Sequence, residues 1–224
     1  EFVYFYKRSN PYNVPSNILV YPKLRFEGGG QFNMPEADIL VKSNLWIMSG
    51  GANVIMNSGS AGDITVYGNL QLGQGETNNY GKLTFPGTGN PRKVDVKGDI
   101  ILVGNASPLI TVASPGNTGL EHTLIAQNNI KHSAGNIYLY HATSARVALK
   151  IGGTNSASYS RVNGNISLHR IIMDKGTNAD STFTFNNSVT LSHPSNLPIK
   201  PITFMNGCLV LNHPDIDINL SSGG

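Results

Sequence analysis

Chemistry in this chain would have to come from its carboxylates, its six histidines or its single cysteine. Past the first forty residues the acids are Asp63, Glu76, Asp95, Asp99, Glu121, Asp174, Asp180, Asp215 and Asp217. Glycoside cleavage needs two carboxyl groups roughly 5 to 9 Å apart. Asp95 and Asp99 flank one glycine, Gly98, and fall on different arms of the turn it makes. Asp215-Ile216-Asp217-Ile218-Asn219 places three oxygen-bearing side chains on one face of a strand. Asp215 and Asp217 are thus the candidate Ca²⁺ ligands, and Ca²⁺ the one candidate cofactor. Same-face side chains lie about 7 Å apart, and Ca²⁺ takes six or more oxygens. A loop would have to supply the others, and a solvated strand face is the simpler reading.

The histidines are His122, His132, His141, His169, His193 and His213. Of these, His132 and His169 are the pair that stacking of the chain could bring face to face. Gly28-Gly29-Gly30 lacks the Lys-Ser/Thr and the helix that a phosphate-binding loop requires. Cys208 lies in the apolar run Gly207-Cys208-Leu209-Val210-Leu211 and is read as a small core residue. A lone cysteine makes no intrachain disulfide and no zinc cluster.

The elements that would position these groups announce themselves by repetition. Val66-Tyr67-Gly68-Asn69-Leu70-Gln71-Leu72 returns as Val96 to Leu102 around Gly98-Asp99, and as Val162 to Leu168 around Gly164-Asn165. A Ser variant covers Val41 to Ile47 around Ser43-Asn44. Weaker copies are Ser133 to Leu139 around Gly135-Asn136, and Phe185 to Leu191 around Asn187-Ser188. Apolar and polar residues alternate on both sides of each small-Asn pair, the mark of half-buried strands. Gly-Asn is a pairing that relieves steric strain where a chain bends. Each copy therefore reads as two strand arms joined at a corner.

The copies recur after 25, 30, 37, 29 and 23 residues. Self-similarity at such periods indicates a solenoid or propeller. Irregular spacing favours the solenoid, because loops can leave a coil without disturbing the stack. The expected fold is all-β: a right-handed parallel β-helix of about eight coils, the hand following the general rule for crossovers. If the copies stack in register, Asn44, Asn69, Asp99, Asn136 and Asn165 form one ladder at about 4.8 Å spacing. Asp99 would then interrupt it as a charge.

Composition agrees. Only 13% of residues are charged, against about a quarter in ordinary domains; 26 asparagines supply much of the polarity instead. The net charge of +3 is spread over isolated basic residues, so no nucleic-acid surface is indicated. No stretch is long and apolar enough to span a bilayer. Residues 1–40 are aromatic and proline-rich and read as an irregular N-terminal cap segment; residues 41–224 read as the β-helix coils. The unclosed C-terminal sequence suggests a piece of a larger polypeptide.

Tyr12 to Leu24, the recurring Val-x-Gly-Asn-Leu-x-Leu phrase and Gly207 to Asn212 together resemble the large repetitive surface proteins of the Bacteroidetes phylum. The resemblance implies a non-enzymatic, extracellular module on the bacterial cell surface, structural or adhesin-like, exported as cargo of the type IX secretion system. It implies as partners the rest of a larger chain, surface glycans or the secretion components. Asp180-Ser181-Thr182 resembles the O-glycosylation site of exported proteins in that phylum. For adhesion, Trp46, Tyr138, Tyr140 and Tyr159 are the candidates for an exposed aromatic row. The alternative is a carbohydrate-active β-helix enzyme, a polysaccharide lyase or a glycosidase, which would show convergent acids with a Lys or Arg.

Overall fold

The computed structural model describes residues 3–7, 11–48, 50–74, 80–104, 107–177, 180–193, 200–212 and 218–222. Within them the chain winds as a parallel β-helix, three strands to a coil, with no helix. The first coil is β1 (Val3–Tyr6), β2 (Tyr12–Asn13) and β3 (Val20–Tyr21). The second is β4 (Leu24–Glu27), β5 (Gln31–Asn33) and β6 (Ile39–Val41), and the third β7 (Leu45–Ile47), β8 (Asn53–Ile55) and β9 (Ile64–Val66). The fourth is β10 (Leu70–Leu72), β11 (Lys82–Phe85) and β12 (Lys93–Val96), and the fifth β13 (Ile100–Leu102), β14 (Leu109–Val112) and β15 (Glu121–Ala126). The sixth is β16 (Ile130–His132), β17 (Asn136–Tyr138) and β18 (Arg146–Ile151), and the seventh β19 (Ala157–Arg161), β20 (Asn165–Leu168) and β21 (Arg170–Asp174). The eighth is β22 (Thr182–Phe185), β23 (Val189–His193) and β24 (Ile202–Asn206), after which β25 (Cys208–Leu211) and β26 (Ile218–Ser222) begin another.

Every third strand pairs in parallel, giving sheets A and B of nine strands and sheet C of eight. Sheet A starts with β1, sheet B with β2 and sheet C with β3. The segment 1–40 supplies the first two coils, in register with those that follow.

Alternation within strands turns one residue in two inward, and in-register stacking makes each inward position a column. Leu24, Leu45, Leu70 and Ile100 form one such column in sheet A. Phe32, Val54, Leu83 and Ile110 do the same in sheet B, and Ile39, Ile64, Val94, Leu124 and Leu149 in sheet C. All are buried. Each such aliphatic side chain contributes about 1.5 to 3 kcal/mol. At the N-terminal end the columns close on packed rings: Phe5 stacks on Phe26 at 5.5 Å, and Phe26 meets Phe32 at 5.0 Å. The aromatic start of the sequence is thus divided, with Phe5 and Tyr12 against the core and Tyr4 and Tyr6 outward.

Cys208 departs from the expected core position and is exposed. Leu209 and Leu211 stand opposite the buried Phe183 and Phe185. Strand alternation then turns Cys208 to the outside.

Candidate functional site

The corners are where the repeated phrase lies, but the copies divide between two of them. Ser43-Asn44, Gly68-Asn69 and Gly98-Asp99 join sheet C to sheet A. Gly135-Asn136 and Gly164-Asn165 join sheet A to sheet B, as does Asn187-Ser188. The single ladder expected through all five positions is therefore two ladders. The C–A ladder is carried on by Asn129, in the corner Gln127-Asn128-Asn129, which lacks the small Gly or Ser that precedes Asn44, Asn69 and Asp99.

The rungs of the C–A ladder run mainly from a side-chain oxygen to a backbone N–H rather than from amide to amide. The Asn44 side-chain oxygen accepts the Asn69 backbone N–H at 2.9 Å, and that of Asn69 accepts the Asp99 N–H at 2.8 Å. Asp99 Oδ1 accepts both the N–H and the Nδ2–H of Asn129 at 3.2 Å, and Asn129 Oδ1 accepts the Ser158 N–H at 3.0 Å. What each rung requires is a side-chain oxygen, which Asp supplies as well as Asn. Asp99 therefore continues the ladder instead of interrupting it, and its second oxygen pairs with Lys131 at 2.6 Å. At the A–B corner Asn136 Oδ1 accepts the Asn165 N–H at 3.1 Å and its Nδ2–H at 3.3 Å, the second being the amide-to-amide rung expected from the sequence.

Glycine serves the two corners differently. Gly135 and Gly164 have φ of +79° and +94°, which side-chain-bearing residues rarely adopt. Gly98 is not in that region; a Cβ there would lie 2.6 Å from the Gly68 carbonyl group. Where the C–A corner lengthens, the buried Lys175 takes over, its ammonium donating to Gly152 O at 2.9 Å and Gln127 O at 3.4 Å. Burial pushes its pKa down.

The acids are drawn into the stack. Asp63 pairs with Lys93 at 3.2 Å, Asp95 with Lys97 at 2.7 Å and Asp174 with Lys150 at 2.6 Å. Asp38 accepts the Gly62 and Asp63 N–H groups, both at 3.0 Å, and these bonds hold its carboxyl below the usual range. Asp215 and Asp217, the candidate Ca²⁺ ligands, lie outside the described residues. Among the described residues no group of three or more His, Cys, Asp or Glu side chains is placed to hold a metal ion.

One polar cluster had no signal in the sequence. Glu121, at the start of β15, pairs with Arg170 Nη1 at 3.0 Å and His169 Nε2 at 3.2 Å. The partners are nearly fifty residues on, and only stacking two coils deep brings them together. Burial raises the Glu121 pKa, but the contact with His169 and the Arg170 charge outweigh it and leave the carboxyl below its ordinary value. It serves as an anion, not a proton donor, at neutral pH.

His132 and His169 do not face each other. His132 ends β16, with Nδ1 on the Tyr159 hydroxyl at 3.1 Å and Nε2 on Gly135 O at 3.0 Å. His169 lies at the B–C corner, stacked on Tyr140 at 6.3 Å. Tyr159 is fully buried and leaves the set of exposed aromatics, whereas Tyr138 is exposed. Ser181, in the glycosylation-like triplet, is buried, and its hydroxyl donates to Thr154 O at 2.7 Å.

Trp46 has a clearer setting. On the outer face of sheet A the central residues of successive strands are Tyr4, Arg25, Trp46, Gln71, Ile101 and Lys131, all in register. The first four carry planar groups. The Arg25 guanidinium lies 5.7 Å from the Tyr4 ring centroid. Glu27 fixes both, accepting the Tyr4 hydroxyl at 2.9 Å and pairing with Arg25 at 2.6 Å.

No helix among the described residues is long and apolar enough to cross a membrane. In comparison with known proteins, no family model, curated protein or solved structure matches the chain.

Proposed function

We propose that this chain is a non-enzymatic, extracellular module of a large bacterial surface protein, structural in build and adhesive in use. The observation that supports it is the outer face of sheet A. Its side chains stand in register from coil to coil, so a ligand can be met at many points by a surface that does not rearrange. The likeness of the Val-x-Gly-Asn-Leu-x-Leu phrase to Bacteroidetes surface proteins supports the location, and with it export as type IX secretion cargo. A second reading, a carbohydrate-active β-helix enzyme, would be built around the Glu121, His169 and Arg170 cluster, which holds one carboxylate where glycoside cleavage uses two.

A glycan array separates the two readings. The purified chain is expected to retain a defined glycan, unchanged in composition, with or without EDTA. Binding lost in EDTA and restored by Ca²⁺ would direct mutation to Asp215 and Asp217. Release of new reducing ends or unsaturated sugars would move the assignment to the enzyme. Absence of binding to any glycan would remove adhesion and leave a spacer.

A further inference from the structure

We propose that Tyr4, Arg25 and Trp46 on sheet A form a platform for a neutral β-1,4-linked polysaccharide chain lying along the solenoid axis. This rests on the adhesive reading above and names its ligand class and its residues. Strands in a sheet are about 4.8 Å apart, so the backbones of Tyr4 and Trp46, two rungs apart in register, lie about 10 Å apart. A disaccharide unit of an extended β-1,4-linked chain has closely the same length. Two alternate sugars can therefore each meet an aromatic ring, with the sugar between them over the Arg25 guanidinium.

The chemistry of the platform fits such a chain. A pyranose presents an apolar C–H face and a rim of hydroxyls. Aromatic rings offer the first a flat, low-entropy contact. Arg25, Glu27 and Gln71 offer donors and acceptors to the second. Tyr4 stands 48% exposed and the neighbouring Tyr6 49%, and their rings lie 6.1 Å apart. The Glu27 bonds hold Tyr4 and Arg25 in place before any ligand arrives, which reduces the ordering cost of binding. Glu27 also neutralises Arg25, so the platform has no net attraction for acidic sugars, and a neutral chain is favoured.

The chain has one tryptophan, so its emission reports on this surface alone. Titration with cellohexaose is expected to shift that emission, whereas maltohexaose, whose α-1,4 links curl the chain, leaves it unchanged. By calorimetry Trp46→Ala and Tyr4→Ala should each weaken cellohexaose binding at least tenfold. Lys131→Ala, three rungs from Trp46 on the same face, should leave it within twofold. An unaltered melting temperature in each variant shows that the fold is kept. Binding that survives the Tyr4→Ala/Trp46→Ala double variant would overturn the platform while leaving adhesion standing. Equal binding of maltohexaose would overturn the spacing argument. A chain that binds other array glycans but not cellohexaose would overturn the ligand class. A chain that binds no glycan at all would overturn both readings.

Discussion

Gly98→Ala is expected to lower stability by about 3 kcal/mol, a fall in melting temperature of roughly 6 to 12 °C for a chain of this size. The added Cβ would lie 2.6 Å from the carbonyl carbon and oxygen of Gly68. That carbonyl cannot retreat, because it accepts the Gly98 N–H at 3.0 Å while the Gly68 N–H donates to Ser43 O at 2.8 Å. Asp99, one residue on, separates shape from charge. Asp99→Asn keeps an oxygen for Asn129 and loses only the pair to the half-exposed Lys131, a change of about 0 to 1 kcal/mol. Asp99→Leu leaves the Asn129 N–H without its acceptor and should cost about 1 to 3 kcal/mol. Urea unfolding of the three variants ranks them. If Asp99→Asn were as damaging as Asp99→Leu, the charge would matter and not the oxygen.

Mild acid should destabilise this solenoid through its buried histidines. His122 is fully buried, with Nδ1 accepting the Arg92 N–H at 2.9 Å and Nε2 donating to Pro86 O at 2.7 Å. Protonation would place a hydrogen on Nδ1, opposite the Arg92 donor. Burial, and then the Arg92 charge, push the His122 pKa down to about 4, against the opposing Pro86 bond. Below the ordinary pKa of 6.5 the unfolded chain binds the proton and the folded chain does not. Stability is therefore full above pH 6.5 and is lost as the pH falls from there toward about 4, by roughly 3 kcal/mol in all. His132, also depressed by burial, acts in the same direction. Carboxylates such as Asp38, Glu121 and Asp174 are held low and lose their contribution only at more acid pH. Urea midpoints at pH 7 and pH 4.5 test this: His122→Gln should be less stable at pH 7 but flatter across the interval. An unchanged slope would assign the acid sensitivity elsewhere.

The coils were legible because period-2 alternation and a small-Asn corner leave local marks. The corners themselves were not told apart. Gly98 is required by the close approach of Gly68 alone, and Gly164 by its φ together with the close approach of the Gly135 carbonyl, yet both appear in sequence as Gly before an acid or amide. Asn129 carries no mark in the sequence because Asn128, not a small Gly or Ser, precedes it, although it continues the ladder. Tyr159 reads from the sequence as a candidate for the exposed row but is a core residue. It stands one strand beyond Ile130 in a core column and satisfies its hydroxyl on His132, which alternation alone does not reveal. Glu121, His169 and Arg170 meet only because the coils stack, and so does the Tyr4, Arg25 and Trp46 surface. Function in a solenoid is written across coils, in a dimension that a single pass along the chain does not sample.

The binding surface exists only if the outward residues of sheet A form one straight, in-register line. Spin labels at Arg25→Cys and Ser160→Cys, in a Cys208→Ser background, measure it directly. The two positions are linked through Trp46, Gln71, Ile101 and Lys131. Five rungs correspond to about 24 Å between backbones, and a single narrow distance distribution near that value is predicted. A broad distribution, or one centred well beyond 30 Å, would contradict the register and the binding surface built on it.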